Sequence, residues 1–154
     1  MTIAIDSPAP TFTAPSTDGE FSLEALKGQI VVLYFYPKDN TPGCTTQGQN
    51  FRDLHAEFEA AGARIFGISR DTLSSHVKFR EKQEFPFALI ADPDEKVCEL
   101  YGVMKMKNMY GKQVRGIERS TFLIDADGVL RKEWRGLKVP GHVDAVLAAA
   151  RELG

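Results

Sequence analysis

The chain is poor in cysteine. Cys44 and Cys98 are the only two in 154 residues, and they stand far apart, so there is no disulfide framework to read. A chain of this length buries about two thirds of the surface it exposes when unfolded, so its fold needs neither cross-links nor a metal. Charge of one sign is also scarce: the net value is −2, with both signs spread along the sequence. No basic stretch with interleaved aromatics is present, which argues against a nucleic-acid partner. No apolar run approaches membrane-spanning length, and Met1–Asp6 lacks the basic and apolar regions of a secretory signal. The three histidines, His55, His76 and His142, lie in separate segments without ligand spacing, so neither a metal nor a cofactor is expected. Gly43 and Gly48 form no phosphate-binding pattern, and Asp125–Gly128 is a turn without the further carboxylates of a calcium loop. There is no Cys-x-x-Cys pair, which removes the dithiol chemistry of a disulfide reductase. These absences leave one domain over residues 1–154, expected in a reducing compartment such as the cytoplasm.

What is present alternates between apolar strands and amphipathic helices. Ile30–Tyr36 is apolar throughout, as a strand covered on both faces must be. A helix over 42–61 follows, with Phe51, Leu54, Phe58 and Ala61 on one stripe. Ala63–Ser69 reads as a second strand, then come a helix around 72–83, a short strand near 87–91 and a helix around 94–101. A hairpin-like stretch surrounds Asn108–Gly111. Ser120–Asp125 and Val129–Arg135, joined by a tight turn, read as a closing hairpin before a last helix over 142–153. The Pro-, Thr- and Ser-rich segment up to Gly19 is expected to form short strands at the domain's edge, and 22–26 one short helix. This order implies an α/β domain with a central mixed sheet flanked by helices, and it fits a thioredoxin-like fold with an N-terminal β extension.

Cys44 carries the chemistry. It follows the loop Pro37-Lys-Asp-Asn40 and the helix-opening run Thr41-Pro-Gly-Cys44. Thr41 suits the N-cap, Pro42 suits the first helical position, and a residue before proline is pushed out of the α region. Cys44 then occupies the third position of the first turn, beside free backbone N–H groups and the positive end of the helix dipole. A thiolate is most easily held there, and the thiolate is the nucleophile. Deprotonation alone gains at most ~30-fold over an ordinary thiol, and a lower pKa weakens the nucleophile. Fast chemistry also needs donors aimed at the leaving group. The Thr41 hydroxyl and the Cys44 N–H supply two. A permanent cation is to be found at Arg119, a charge heading an apolar strand, with Arg115 as its rival.

The run Phe35-Tyr-Pro-Lys-Asp-Asn-Thr-Pro-Gly-Cys-Thr45, with Pro37, Thr41 and Cys44, resembles the peroxiredoxin signature, and Arg119–Asp125 resembles that family's arginine-bearing strand. The similarity covers nearly the whole chain, including Asp92-Pro-Asp-Glu, Tyr101-Gly-Val and Met109-Tyr-Gly-Lys112, and is nearest to the bacterioferritin-comigratory (Q-type) subfamily. The resemblance implies a thiol peroxidase in which Cys44 attacks hydrogen peroxide or an organic hydroperoxide and becomes a sulfenic acid. It assigns Thr41 and Arg119 to polarising the O–O bond and Pro37 to shielding the sulfur. Thr41 as a plain helix cap competes for the same hydroxyl. The resemblance also implies a monomer, with a weak dimer as the alternative.

Many Q-type members carry a resolving cysteine five residues after the peroxidatic one, where this chain has Gln49. Others carry it in the segment matching 72–83, which has no cysteine here. A one-cysteine mechanism is therefore expected, with thioredoxin, glutaredoxin or a low-molecular-weight thiol such as glutathione as reductant. Two alternatives stand beside it. One is an atypical two-cysteine peroxidase using Cys98, which otherwise reads as a packed thiol beside Val97. The other is a non-enzymatic redox-sensing or holdase module.

Overall fold

In the computed structural model, which describes residues 3–153, nine strands and five helices are arranged about one sheet. The strands are β1 (Thr13–Ser16), β2 (Gly19–Ser22), β3 (Ile30–Phe35), β4 (Ala63–Ser69), β5 (Ala88–Ala91), β6 (Met104–Met109), β7 (Lys112–Ile117), β8 (Ser120–Ile124) and β9 (Leu130–Arg135). The helices are α1 (Pro42–Asp53), α2 (His55–Ala60), α3 (Leu73–Gln83), α4 (Lys96–Leu100) and α5 (His142–Leu153). Seven strands form a mixed sheet in the order β2-β1-β5-β4-β3-β8-β9, while β6 and β7 make a separate hairpin. Among the described residues no helix is long and apolar enough to cross a membrane.

β3 lies inside the sheet, parallel to β4 and antiparallel to β8, and every one of its residues is buried. Because successive side chains point to opposite faces, this strand feeds two cores. Val31, Leu33 and Phe35 pack on one face with Val97, Cys98 and Tyr101 of the α4 region. Ile30, Val32 and Tyr34 pack on the other with Cys44 and Phe51 of α1, Phe58 of α2 and Val146 of α5. The Tyr34 and Phe51 rings stack at 4.6 Å. Two glycines permit this packing. A Cβ on Gly67 would lie 2.8 Å from Tyr34 Cζ, and one on Gly48 would lie 2.4 Å from Phe85 Cζ.

The architecture expected from the sequence is present, with local differences. The helix expected over 42–61 is two helices, interrupted at Leu54, whose φ of −103° and ψ of 7° leave the α region; no proline or glycine marks the break. The helix expected over 22–26 is a single 3-10 turn at Glu24–Leu26. The N-terminal strands join the main sheet by pairing β1 antiparallel to β5. The stretch around Asn108–Gly111 is the tip of the β6–β7 hairpin, where Tyr110 and Gly111 both take positive φ, as a two-residue hairpin turn requires.

Candidate active site

Sheet register brings Cys44 and Arg119 to the same edge. β3 pairs with β8 so that Phe35 opposes Ser120. The loop leaving β3 toward Cys44 and the residue entering β8, Arg119, therefore start side by side. The backbone of Arg119 is held there by its neighbours: the Glu118 N–H donates to Val103 O at 2.7 Å and the Leu137 N–H to Arg119 O at 3.2 Å.

α1 begins as its sequence dictates. Thr41 is extended (φ −88°, ψ 152°) and Pro42 is the first helical residue. The Thr45 N–H makes the bond to Thr41 O at 2.9 Å, so the N–H groups of Gly43 and Cys44 precede the first helical bond of that kind. The Thr41 side chain departs from expectation. Its hydroxyl makes no cap bond and instead donates backwards to Lys38 O at 2.8 Å. The hydroxyl's hydrogen is used within the loop and no helical N–H bonds to its oxygen, so Thr41 caps by conformation alone.

Cys44 retains 2% exposure, its sulfur in the core face of α1. The Arg119 guanidinium reaches it: Nη2 donates to Cys44 Sγ at 3.5 Å, and Nη1 donates to Gln47 Oε1 at 2.6 Å. Gln47, one turn beyond Cys44, is fully buried, and its Nε2 has no partner among the described residues. One fork thus spans two positions on consecutive turns of α1, a geometry that a planar guanidinium supplies and an ammonium does not. Gly43 makes room for it, since a Cβ there would lie 3.1 Å from Arg119 Nη2. Arg115 is elsewhere, paired with Glu95 at 2.9 Å and Glu99 at 2.7 Å. Pro37 is half-buried in the loop between β3 and α1.

Cys98 lies in the opposite core, with the sheet between it and Cys44. Its own N–H donates to Asp92 Oδ2 at 2.8 Å, and the Val97 N–H donates to Asp92 Oδ1 at 3.1 Å, so Asp92 holds the start of α4. Burial first, and the Asp92 carboxylate second, push the Cys98 thiol far above its ordinary range.

Sequence reasoning did not single out several residues at or near this site. Gln47 was detectable, because a polar residue three positions after Cys44 shares its helix face. Lys107 of β6, half-buried, donates its Nζ to Ile117 O; burial, then the Arg119 charge, pull its pKa down. His142, at the start of α5, is buried and shares a 2.8 Å hydrogen bond between Nε2 and Thr121 Oγ1. Burial, then the Arg119 charge, lower its pKa from 6.5 to about 4.

His142 therefore makes stability depend on pH. Between its folded and unfolded pKa values the unfolded chain binds the extra proton, so the stability is complete above about 6.5 and is withdrawn as pH falls toward 4. Urea unfolding at about pH 7 and about pH 4.5 should show the wild type losing roughly 2–3 kcal/mol more than a His142→Gln variant. Equal losses in the two proteins would show that other groups set the acid sensitivity.

Asp39, Asp71 and His76 offer atoms within 4.8 Å of one another that could in principle hold a metal ion. Those atoms are already engaged by the protein. Tyr36 and Ser75 donate to Asp39, Ser69 donates to Asp71, and His76 faces Asp39 and Ile90 O.

Comparison with known proteins places this geometry among relatives. Residues 5–133 match the AhpC/TSA family. Peroxiredoxin Bcp of Xanthomonas campestris is 52% identical over 155 residues, covering 98% of this chain and 97% of that protein. Peroxiredoxin Bcp of Bacillus subtilis is 47% identical over 154 residues, covering 99% and 98%. A solved structure of the X. campestris bacterioferritin comigratory protein, described for its alkyl peroxide reduction activity, superposes with a TM-score of 0.89. It shares 49% identity and covers 97% of each chain.

Proposed function

The chain belongs to the AhpC/TSA family and is a peroxiredoxin, a thiol peroxidase with the thioredoxin-like fold, and on that premise we propose that Cys44 is its peroxidatic nucleophile working by a one-cysteine mechanism. The Cys44 thiolate attacks one oxygen of the hydroperoxide. The S–O bond forms as the O–O bond breaks, the sulfur gives up two electrons, and the departing oxygen takes a proton to leave as water or alcohol. The Arg119 fork on Cys44 Sγ is the observation that carries this reading, because it sets a fixed cation where charge develops on the departing oxygen. With its hydrogen committed to Lys38 O, the Thr41 hydroxyl presents lone pairs, and so accepts the O–H of the incoming peroxide. Pro37 limits access of water to the sulfur. Hydrogen peroxide and organic hydroperoxides are the substrates; the alkyl peroxide activity described for the X. campestris relative supports the second class.

The sulfenic acid is then reduced from outside. A first thiol displaces water to form a mixed disulfide, and a second releases Cys44 and a disulfide product. Thioredoxin, glutaredoxin or a low-molecular-weight thiol fills this part. Cys98 is disfavoured as the resolving partner, because a bridge needs Cα atoms within about 7 Å and the sheet separates the two residues. Its thiol, raised by burial, is also a poor nucleophile. Intact mass after treatment with a slight excess of peroxide tests the mechanism. The expected species carry one added oxygen on Cys44, then two as peroxide increases, with Cys98 still alkylatable. A clean loss of two hydrogens, with both cysteines blocked, would establish an internal disulfide instead.

A further inference from the structure

We propose that the buried Asp39–His76 pair is a positioning latch for the loop that delivers Cys44, holding it closed for attack on peroxide and restraining the opening through which an external thiol reaches the oxidised sulfur. The proposal rests on Cys44 as the peroxidatic residue. Asp39 is five residues before Cys44 and two before Thr41, in a connection with no regular secondary structure, yet it is only 4% exposed. A carboxylate there needs partners, and it has them from two directions. Asp39 Oδ1 accepts from the Tyr36 hydroxyl at 2.7 Å, at the end of β3. Asp39 Oδ2 accepts from the Ser75 hydroxyl at 2.8 Å and lies 2.7 Å from His76 Nδ1, both on α3. The Asp39 N–H donates to Asp71 Oδ2 at 2.9 Å, and the Ser69 hydroxyl donates to that same oxygen.

His76 is fully buried and anchored at its far side, with Nε2 3.0 Å from Ile90 O of β5. A carbonyl can only accept, so Nε2 carries a hydrogen. Asp39 Oδ2 and His76 Nδ1 would then both be acceptors unless a proton lies between them. The pair therefore holds one shared proton across 2.7 Å, and the loop is bonded through it to a helix and a strand at once. The Tyr36 hydroxyl also stands 3.4 Å from His76 Nδ1, but its hydrogen goes to Asp39 Oδ1 at 2.7 Å, and the Tyr36 ring, with its centroid 6.2 Å away, flanks the imidazole.

The bend after Asp39 explains why a latch is needed. Asn40 takes a positive φ of 63°, turning the chain from a buried carboxylate to an exposed side chain before Thr41 sets the helix entry. Asn tolerates that conformation better than most residues, but it is held rather than preferred. Freed from His76, the loop would relax, and Thr41, Gly43 and Cys44 would move with it. The consequences for the two half-reactions are opposite. Attack on peroxide requires Cys44 and Thr41 to stay in register with Arg119, so loosening slows it. Reduction requires a thiol sulfur to approach Cys44 in line with the S–O bond, and a cysteine with 2% exposure admits nothing bulky until the loop yields, so loosening speeds it.

The test separates the half-reactions by stopped-flow in two variants. His76→Phe keeps the ring volume and its aromatic surroundings while leaving Asp39 without the shared proton. Asp39→Asn keeps the shape of the side chain and removes its charge. In His76→Phe the rate constant for oxidation by peroxide should fall by about tenfold or more, while that for reduction of the sulfenic acid by dithiothreitol rises several-fold. Asp39→Asn should move both in the same directions by less, and carries the same two readouts should the first variant not fold. A reactive wild type, with both rate constants in the variants within about twofold of it and only the unfolding midpoint lowered, would overturn the latch and leave the pair as packing. An unreactive wild-type Cys44 would overturn the nucleophile assignment itself.

Discussion

Replacing Cys44 by serine should lower thiol-supported peroxide turnover by at least about a thousandfold while leaving the fold intact. The two halves of that expectation rest on different facts. A serine hydroxyl does not ionise at neutral pH, and the side chain hydrogen-bonded to Sγ among the described residues is Arg119, a donor that cannot take its proton. An oxygen at that position can still accept from Arg119 Nη2, so the polar contact survives in a core site that loses little volume. Thermal unfolding should therefore change far less than activity. Cys98 cannot substitute, because it lies on the far side of the sheet with its thiol raised by burial and Asp92. Peroxide consumption with excess dithiothreitol, followed by stopped-flow, decides the matter. If wild type turned over no faster than Cys44→Ser, Cys44 would be a switch rather than a nucleophile, as in a redox-sensing or holdase module. The one-cysteine reading would then fall.

The elements that place this sulfur were legible because they are local. The uninterrupted apolar run of β3 requires burial on both faces, and Thr41-Pro42 dictates a helix entry, so Cys44 could be put on the third helical position before any contact was known. Arg119 was legible for a different reason: a charge at the head of the wholly buried β8 has to be answered by something at the sheet edge. What could not be read are the partners contributed by distant segments. His76 stands in the middle of an unremarkable amphipathic helix. Nothing in its neighbours announces that it meets Asp39 from a loop 37 residues earlier and Ile90 O from β5. The Thr41 hydroxyl illustrates the limit from the other side. Residue type and position both pointed to a cap, but the hydroxyl donates to Lys38 O at 2.8 Å within the loop and no helical N–H bonds to its oxygen. The break at Leu54 is equally silent in the sequence, since helix periodicity continues through it and no proline or glycine marks it.

Arg119→Ala should slow oxidation by peroxide by about 100- to 1000-fold, the loss typical of removing a donor aimed at developing negative charge. On the proposed mechanism the guanidinium has two tasks that this variant separates. One is to favour the thiolate through Nη2, and the other is to stabilise the oxygen that departs. If both operate, the ultraviolet absorbance of the thiolate at neutral pH will fall by a much smaller factor than the rate constant. Proportional losses would mean that the arginine only holds the anion. Arg119→Lys should fall between the two, since one ammonium cannot reach both Cys44 Sγ and Gln47 Oε1 as the fork does at 3.5 and 2.6 Å. Stability reports on the same group independently. Gln47 is fully buried and already has an unpartnered Nε2; stripping its Oε1 of Arg119 leaves the whole amide unsatisfied, a cost of about 1–3 kcal/mol. The charge of Arg119 is also the second cause, after burial, of the low pKa of His142. Its removal should therefore raise that pKa from about 4 part of the way toward 6.5, and the destabilisation on acidification should shrink. A variant that lost activity but kept the wild-type acid profile would place the guanidinium away from His142, and with it away from the mouth of α1.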